Sequence, residues 1–255
     1  MSVRTKHCRG CGKSTKIVGL SSEDIVPKWL QPHLHIDNIQ LKQTVVTESG
    51  PRLLRQLPLE RFRYKGAVCE TCNNGWMSDL EKEAKPILLP LVEGSRHVSS
   101  LGEAERLSIA RWAFKTAFMI LGAQSSYPPP WAFFEQWALT GAKGPNPAFI
   151  LGLSNPSLTS GFGFSIREDV WEDGDRATIR VGFGMRSLFL VVALPATGSQ
   201  HGIGVASDCF HLLFPRAKLR PRPVPPHAAR MDYQSYIDHL TNLVICGLKT
   251  EDTVL

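Results

Sequence analysis

Residues 69–81 read CETCNNGWMSDLE and begin with a Cys-x-x-Cys pair. Another pair, Cys8-Arg9-Gly10-Cys11, precedes it, with 57 residues between Cys11 and Cys69. Each pair places two thiol groups on one tight turn, and two such turns close a tetrahedral set of four sulfur ligands. A redox Cys-x-x-Cys motif begins a helix after the strand of a βαβ unit, a setting that neither pair has. The spacing therefore predicts one structural zinc ion held by Cys8, Cys11, Cys69 and Cys72.

The hydrophobic pattern predicts an α+β protein in two parts, residues 1–95 and residues 96–255. In the first part we expect strands at 44–47 and 61–65, a short helix beginning near Pro27, and a helix from Trp76 that stops near Pro86. Because prolines interrupt helical hydrogen bonding, Pro86 is the natural end of that helix.

The second part is expected to combine helices with an antiparallel sheet. Apolar residues at helical spacing predict helices over 103–121, 131–139 and 231–247, and short β patterns at 149–153, 161–166, 177–183 and 187–194 predict an antiparallel meander. Trp112 and Lys115 lie three residues apart and so share one face of the long helix. We expect that face to pack against the sheet with Lys115 extending to solvent.

Basic residues are concentrated in the first part. The chain has a net charge of +6, and residues 1–99 contain 15 Lys and Arg residues against 10 Asp and Glu residues. A basic segment suits a phosphate-bearing partner, although the same charge also serves solubility. No apolar run approaches the roughly 20 residues that span a bilayer, and the N-terminus has no apolar signal region. We therefore expect a cytoplasmic protein with no membrane partner.

The stretch RFRYK at residues 61–65 alternates basic and aromatic side chains. On a strand the basic residues would share one face, where they could follow a phosphate backbone, and the aromatic residues would face the core. The alternative is an ordinary amphipathic strand. The residues expected to contact nucleic acid are Lys28, Arg52, Arg55, Arg61, Arg63 and Lys65.

A family resemblance follows from three motifs taken together. They are the first Cys-x-x-Cys pair, the segment Glu23-Asp24-Ile25-Val26-Pro27-Lys28-Trp29-Leu30, and the segment beginning Cys69-Glu70-Thr71-Cys72-Asn73. This combination resembles the HNH (ββα-metal, His-Me finger) endonuclease superfamily, in particular bacterial members with a zinc knuckle. The resemblance covers about residues 5–90 and implies an N-terminal zinc-bound ββα-metal module. The helix-plus-antiparallel-sheet domain that follows is predicted from the hydrophobic pattern.

The resemblance also implies a site for phosphodiester hydrolysis. In the family a divalent cation, Mg²⁺ or Mn²⁺, stabilises charge at the scissile phosphate, and a histidine activates water. By position, Glu23 would bind that cation, and Glu81 would be a further ligand or would hold one of the cation's water molecules. Asn73 would orient the base, with Asn74 as an alternative. These expectations make Glu23, Asp24 and Asn73 the candidate catalytic residues.

Asp24 stands where the family has its general-base histidine. A carboxylate with a reference pKa of ~3.9 is too weak a base to activate water well. His33 or His35 could substitute only if the loop folds back. Three hypotheses therefore stay open. The chain binds nucleic acid, in the first instance DNA, without cutting it; it is a carboxylate-dependent nuclease; or it is a scaffold for a protein partner. The second part is the candidate surface for a protein partner or a homo-oligomer.

Overall fold

The computed structural model describes residues 7–35, 40–47, 50–58, 62–123, 129–144, 148–154, 161–170, 176–195, 201–205, 211–214 and 244–249. It is an α+β fold with a cluster of four cysteines near the N-terminus. None of the helices in these ranges is long and apolar enough to cross a membrane.

Two antiparallel strands carry the segments on which the resemblance rests. Strand β1 (Leu20–Asp24) pairs with β4 (Arg63–Cys69), so that Glu23 lies opposite Tyr64 and Asp24 lies opposite Arg63. The chain between them forms a 3₁₀ helix (Gln31–Leu34) and a ribbon of two paired strands, β2 (Gln40–Thr47) and β3 (Gly50–Pro58). The predicted strand at 44–47 is therefore part of a longer β2, and β3 was not predicted.

The helix after β4 is longer than the sequence indicated. It begins as α1 (Glu70–Cys72), passes through a π-helical turn (Asn73–Met77) and continues as α2 (Ser78–Val92). The predicted end near Pro86 is wrong, because the helix runs through both Pro86 and Pro90. Each proline removes one hydrogen bond, but burial along one side of α2 offsets the loss; the buried residues are Leu80, Ala84, Leu88, Leu91 and Val92.

Helix α3 (Glu103–Ala123) lies at the centre of the molecule, in agreement with the prediction over 103–121. Almost every residue from Ile109 to Leu121 is buried, which is why the helix shows little amphipathic character and is apolar nearly all round. Its expected apolar position Leu107 is instead partly exposed. Helix α4 (Trp131–Leu139) follows, as predicted.

Aromatic contacts join β4 to the rest of the core. Phe62 stacks on Phe164 with a centroid separation of 5.1 Å, and Tyr64 stacks on Trp131 at 5.7 Å. Tyr64 lies so close to α3 that a Cβ atom at Gly122 would be 2.7 Å from its ring. One hydrophobic core therefore includes residues from both parts of the chain. The two aromatic residues of the predicted strand 61–65, Phe62 and Tyr64, pack in or against the core, as expected.

Five strands form an antiparallel sheet in the order β10-β5-β8-β7-β6. They are β5 (Phe149–Ser154), β6 (Phe162–Val170), β7 (Arg176–Met185), β8 (Leu188–Pro195) and β10 (His211–Phe214). Strands β6 to β8 form a meander, but β5 pairs with β8, so the predicted meander is incomplete. Strand β7 continues to Met185, two residues beyond the predicted 177–183, and the turn to β8 lies at Arg186, which has a φ of 49°, and Ser187.

The helix predicted over 231–247 is wrong at its C-terminal end. Residues Val244–Lys249 form strand β11, which pairs with β9 (His201–Val205). The remainder of that prediction, residues 231–243, and the proline- and arginine-rich segment 215–223 lie outside the described residues.

Candidate metal centre and adjoining carboxylates

The first cysteine pair lies on a compact turn docked on β4. The backbone N–H of Cys8 donates to the carbonyl of Lys13 at 2.8 Å, and the N–H of Gly12 donates to the carbonyl of Cys8 at 2.8 Å. Gly12 has a φ of 71°, a conformation that favours glycine. Because the N–H of Arg9 donates to the carbonyl of Ala67 at 2.9 Å, the turn is held against β4, which ends at Cys69, the first cysteine of the second pair.

The four predicted thiol groups come together. The sulfur atoms of Cys8, Cys11, Cys69 and Cys72 all lie within 4.8 Å of one another. The distance from Cys8 Sγ to Cys72 Sγ is 3.8 Å, and that from Cys11 Sγ to Cys69 Sγ is 3.9 Å. A tetrahedron with metal–sulfur bonds of ~2.3 Å has edges of about 3.8 Å. The cluster can therefore hold a metal ion such as zinc, and the sequence prediction of these four ligands agrees with the geometry.

The protein environment stabilises negative charge on some of these sulfurs and opposes it on others. Cys8 Sγ accepts hydrogen bonds from the N–H groups of Cys69 at 3.1 Å and Gly10 at 3.3 Å, but burial outweighs them and raises the pKa of the Cys8 thiol. Burial opposes ionisation of Cys69, but hydrogen bonds from the Cys72 backbone and the neighbouring thiols outweigh it and lower the pKa of Cys69 to about 7. Burial, followed by the charge of Cys8, raises the pKa of Cys72. Four thiolates so close together need a cation between them.

Gly10 fits closely beneath the cluster. A Cβ atom at this position would lie 3.0 Å from the sulfur of Cys72 and 3.1 Å from its Cβ atom. Trp76, from the π-helical turn, packs nearby and makes an edge contact with Trp137 at 5.5 Å. Close approach of the Gly10 backbone thus keeps the two cysteine turns together.

The candidate cation ligands Glu23 and Glu81 already surround a cation, the ammonium group of Lys115. Lys115 Nζ donates to Glu23 Oε1 at 2.7 Å and to Glu81 Oε1 at 2.7 Å. The side chain of Lys115 is 1% exposed, that of Glu23 is 9% exposed and that of Glu81 is 22% exposed. The second oxygen of Glu81 accepts a hydrogen bond from Trp29 Nε1 at 3.2 Å. The structure does bring Glu23 and Glu81 together, but around Lys115.

The expectation that Lys115 extends to solvent is wrong. Burial alone lowers the pKa of a lysine, but the charges and hydrogen bonds of Glu23 and Glu81 outweigh burial, and the pKa of Lys115 is raised. Lys115 is therefore a buried cation at neutral pH. Spacing along α3 gave no signal for this role, because the two carboxylates come from β1 and α2.

Asp24, which the sequence resemblance places at a general-base position, pairs with Arg63, its cross-strand partner. Their side chains are 26% and 39% exposed respectively, so this ion pair lies at the surface. The Asp24 carboxylate accepts a hydrogen bond from the Arg63 guanidinium group, so its role here is to pair the two strands. Both acidic residues of the Glu23-Asp24 pair are thus matched by basic residues.

Asn73 and Asn74 lie beside β1, at the start of the helix. The Asn73 side chain donates from Nδ2 to the carbonyl of Ser22 at 3.5 Å, a long hydrogen bond. Both asparagines line an open groove of about 580 Å³ between the start of β1 and the start of the helix; its other lining residues are Val18, Gly19, Leu20, Ser21, Ser22, Cys69, Glu70 and Thr71. The groove lining contains no basic residue.

The two histidines considered as substitutes have partners elsewhere. His33 Nδ1 lies 2.8 Å from Glu93 Oε1, and His35 Nε2 lies 3.4 Å from a guanidinium nitrogen of Arg186. His35 ends the 3₁₀ helix with a φ of 51°. Both rings therefore have hydrogen-bond partners other than Asp24.

The residues expected to contact nucleic acid divide into three groups. Lys28, Arg63 and Lys65 are exposed, and the last two share the face of β4 opposite Tyr64. Arg52 and Arg55 lie on β3. Arg61 lies outside the described residues.

The chain matches no protein-family model, and comparison with curated proteins and with solved structures likewise gives no match.

Proposed function

We propose that this chain binds duplex DNA through an N-terminal HNH-like module stabilised by one zinc ion, and that it binds the DNA without cutting it. The observation that carries the proposal is the pairing of both carboxylates at the expected catalytic position. Glu23 contacts Lys115 at 2.7 Å, and Asp24 contacts Arg63.

Zinc is the metal that best suits the cysteine cluster. Four thiolates in a tetrahedron are typical ligands of zinc and leave no open position for substrate. The zinc would therefore stabilise the fold, joining the turn of Cys8 and Cys11 to the end of β4. The order of β1, β4 and the helix Glu70–Val92 supports the ββα resemblance.

The proposed lack of cleavage follows from the charges around the expected cation site. A divalent cation is attracted by uncompensated carboxylates, whereas Glu23 and Glu81 share the ammonium group of Lys115. Replacing that ammonium group by Mg²⁺ would require moving a buried lysine out of two ion pairs. Asp24 is occupied by Arg63 and lacks the basicity of a histidine.

DNA binding is supported by the exposed basic residues of the module. Lys28, Arg63 and Lys65 are exposed, as are Lys13 and Lys16 near the cysteine turn. Lysine and arginine contacts to phosphate release counterions, so the binding constant should fall steeply as salt concentration rises.

The test combines two assays on the unmodified chain. We expect a labelled duplex to bind with a steep salt dependence, and a plasmid to stay intact with Mg²⁺ or Mn²⁺. Plasmid cleavage that the variant E23A/D24A abolishes would identify the carboxylate-dependent nuclease. Failure to bind DNA even at low salt would favour the protein-scaffold hypothesis. Elemental analysis should find about one zinc per chain.

The variant Asp24→His separates two causes of inactivity. If the missing histidine were the only defect, this variant would cleave DNA with Mg²⁺. We expect it to stay inactive, because Lys115 still neutralises Glu23 and Glu81. Cleavage by Asp24→His would show that the lysine does not prevent metal binding.

A further inference from the structure

The ribbon formed by β2 and β3 is a second basic element of the module. Its two strands pair with each other over their whole length, and within the described part of the chain neither belongs to a larger sheet. Residues 40–47 and 50–58 include three basic residues, Lys42, Arg52 and Arg55, and no acidic residue. The described residues of the ribbon therefore carry a formal charge of +3.

The register places both arginines on one face. Arg55 is opposite Gln43, and Arg52 is opposite Val45. Residues two apart on β2 share a face, and directly opposed residues share it too. Arg52 and Arg55 are three apart, but a bulge makes Leu54 the extra residue between them, which restores the common face.

The other face differs in charge. Lys42 is opposite Gln56, one register position away from the pair formed by Gln43 and Arg55. It therefore belongs to the opposite face of the same ribbon. The ribbon thus has a face with two arginines and a face with one lysine.

We propose that the β2–β3 ribbon enters the major groove of duplex DNA with the face of Arg52 and Arg55 against the DNA. This inference rests on the proposed function and identifies the element that contacts the groove. The major groove of B-form DNA is about 12 Å wide and admits a two-stranded β-ribbon. The ribbon of eight register pairs spans roughly 26 Å, at about 3.3 Å per residue.

The spacing of the arginines suits the DNA. Two register positions separate them by about 6.6 Å along the ribbon, which is close to two base steps of about 3.4 Å. Duplex RNA is a poorer partner, because its major groove is deep and too narrow for side chains to read.

The experiment measures binding of the full chain to a short labelled duplex over a range of salt concentrations. The variant Arg55→Ala removes one charge from the arginine face, and its matched control, Lys42→Ala, removes one from the other face. We expect the slope of log binding constant against log salt to fall in magnitude by about 0.9 for Arg55→Ala and by about 1.8 for R52A/R55A. Lys42→Ala should retain the slope of the unmodified chain.

Three outcomes would overturn the inference. They are equal losses for Arg55→Ala and Lys42→Ala, an unaltered slope for R52A/R55A, or binding of duplex RNA as tight as that of DNA. Each variant must show the unfolding midpoint of the unmodified chain, so that a folding defect is not mistaken for lost contact. If the unmodified chain binds no DNA, the proposed function fails. If it binds DNA and the arginine variants bind equally well, only the ribbon inference fails.

Discussion

The ammonium nitrogen of Lys115 lies 2.7 Å from a carboxylate oxygen of Glu23, although 92 residues separate them in sequence. Glu81 provides a second carboxylate oxygen at 2.7 Å. Three elements, β1, α2 and α3, therefore meet at one buried charge. This lysine joins β1 and α2 to helix α3, and it occupies the space between the two residues expected to bind a divalent cation.

Removing this lysine should destabilise the protein strongly. In the variant Lys115→Met, Glu23 would be left in the core without its partner. Breaking a buried ion pair by removing one side costs about 3–5 kcal/mol, so we expect the free energy of unfolding in urea to fall by roughly that amount. A loss below about 1 kcal/mol would show that Glu23 finds water or another partner.

The double variant E23Q/K115M is the control for this experiment. It removes the buried carboxylate together with the lysine, and leaves Glu81, whose side chain is 22% exposed and can be solvated. Replacing both members of a buried pair is often close to neutral. We therefore expect the double variant to be more stable than Lys115→Met alone.

The stability should also depend on the lysine at alkaline pH. The pKa of Lys115 is raised in the folded state above its value in the unfolded chain. Its contribution to stability is therefore complete below the unfolded pKa of about 10.4 and is lost as pH rises through the folded value. Other groups also titrate in this range, notably Tyr64, whose pKa burial raises.

The comparison that isolates Lys115 is between the unmodified chain and E23Q/K115M. We expect the difference in their free energies of unfolding to be constant from neutral pH to about pH 10. Above that pH the unmodified chain should lose stability relative to E23Q/K115M. Urea unfolding at a series of pH values measures it. A difference that varies between pH 6 and 9, well below the pKa of a lysine, would contradict the assignment.

Metal binding should depend on the absence of a side chain at residue 10. In Gly10→Ala the new Cβ atom would lie 3.0 Å from Cys72 Sγ, so the sulfur or the turn must move. We expect metal affinity to fall by roughly tenfold, the lower end of the losses seen when groups around metal ligands are altered. Competition with a chromogenic chelator measures the change.

Gly19→Ala is the matched control, because a Cβ atom at Gly19 would meet no other atom within 4 Å. It adds the same methyl group near the same module. Equal metal affinity for the two variants would mean that the cysteine turns adjust without cost. Weaker binding by Gly10→Ala alone would establish that the close approach of this turn is needed for the metal site.

The parts of the fold that local patterns determine were predictable. Two Cys-x-x-Cys turns can be recognised from four residues, and the structure brings all four sulfurs within 4.8 Å. Helices α3 and α4 also follow from local hydrophobic spacing, with ends within two residues of the prediction. These features need no knowledge of what lies across the core.

The features that depend on distant contacts were not predictable. A lysine three positions after a buried tryptophan usually extends to solvent, and only the arrival of two carboxylates from other elements makes its burial favourable. Pro86 ends a helix by local rules, but packing of α2 against the core carries the helix past it. The sequence therefore predicted the four clustered cysteines, whereas the ion pairs around Lys115 depend on contacts between distant elements.

The pairing of Asp24 with Arg63 gives a prediction for DNA affinity. Asp24→Asn removes a negative charge from the exposed face of β1 and β4 and leaves the Arg63 guanidinium group available for phosphate. A surface ion pair is worth up to about 1 kcal/mol, so we expect affinity at low salt to rise by roughly threefold.

Asp79→Asn is the control, because it removes the same charge from an exposed pair with Lys82 on α2. Fluorescence anisotropy with one duplex compares the two variants. An equal rise for both would mean that net charge alone sets the affinity, whereas a rise confined to Asp24→Asn would place the DNA against this face.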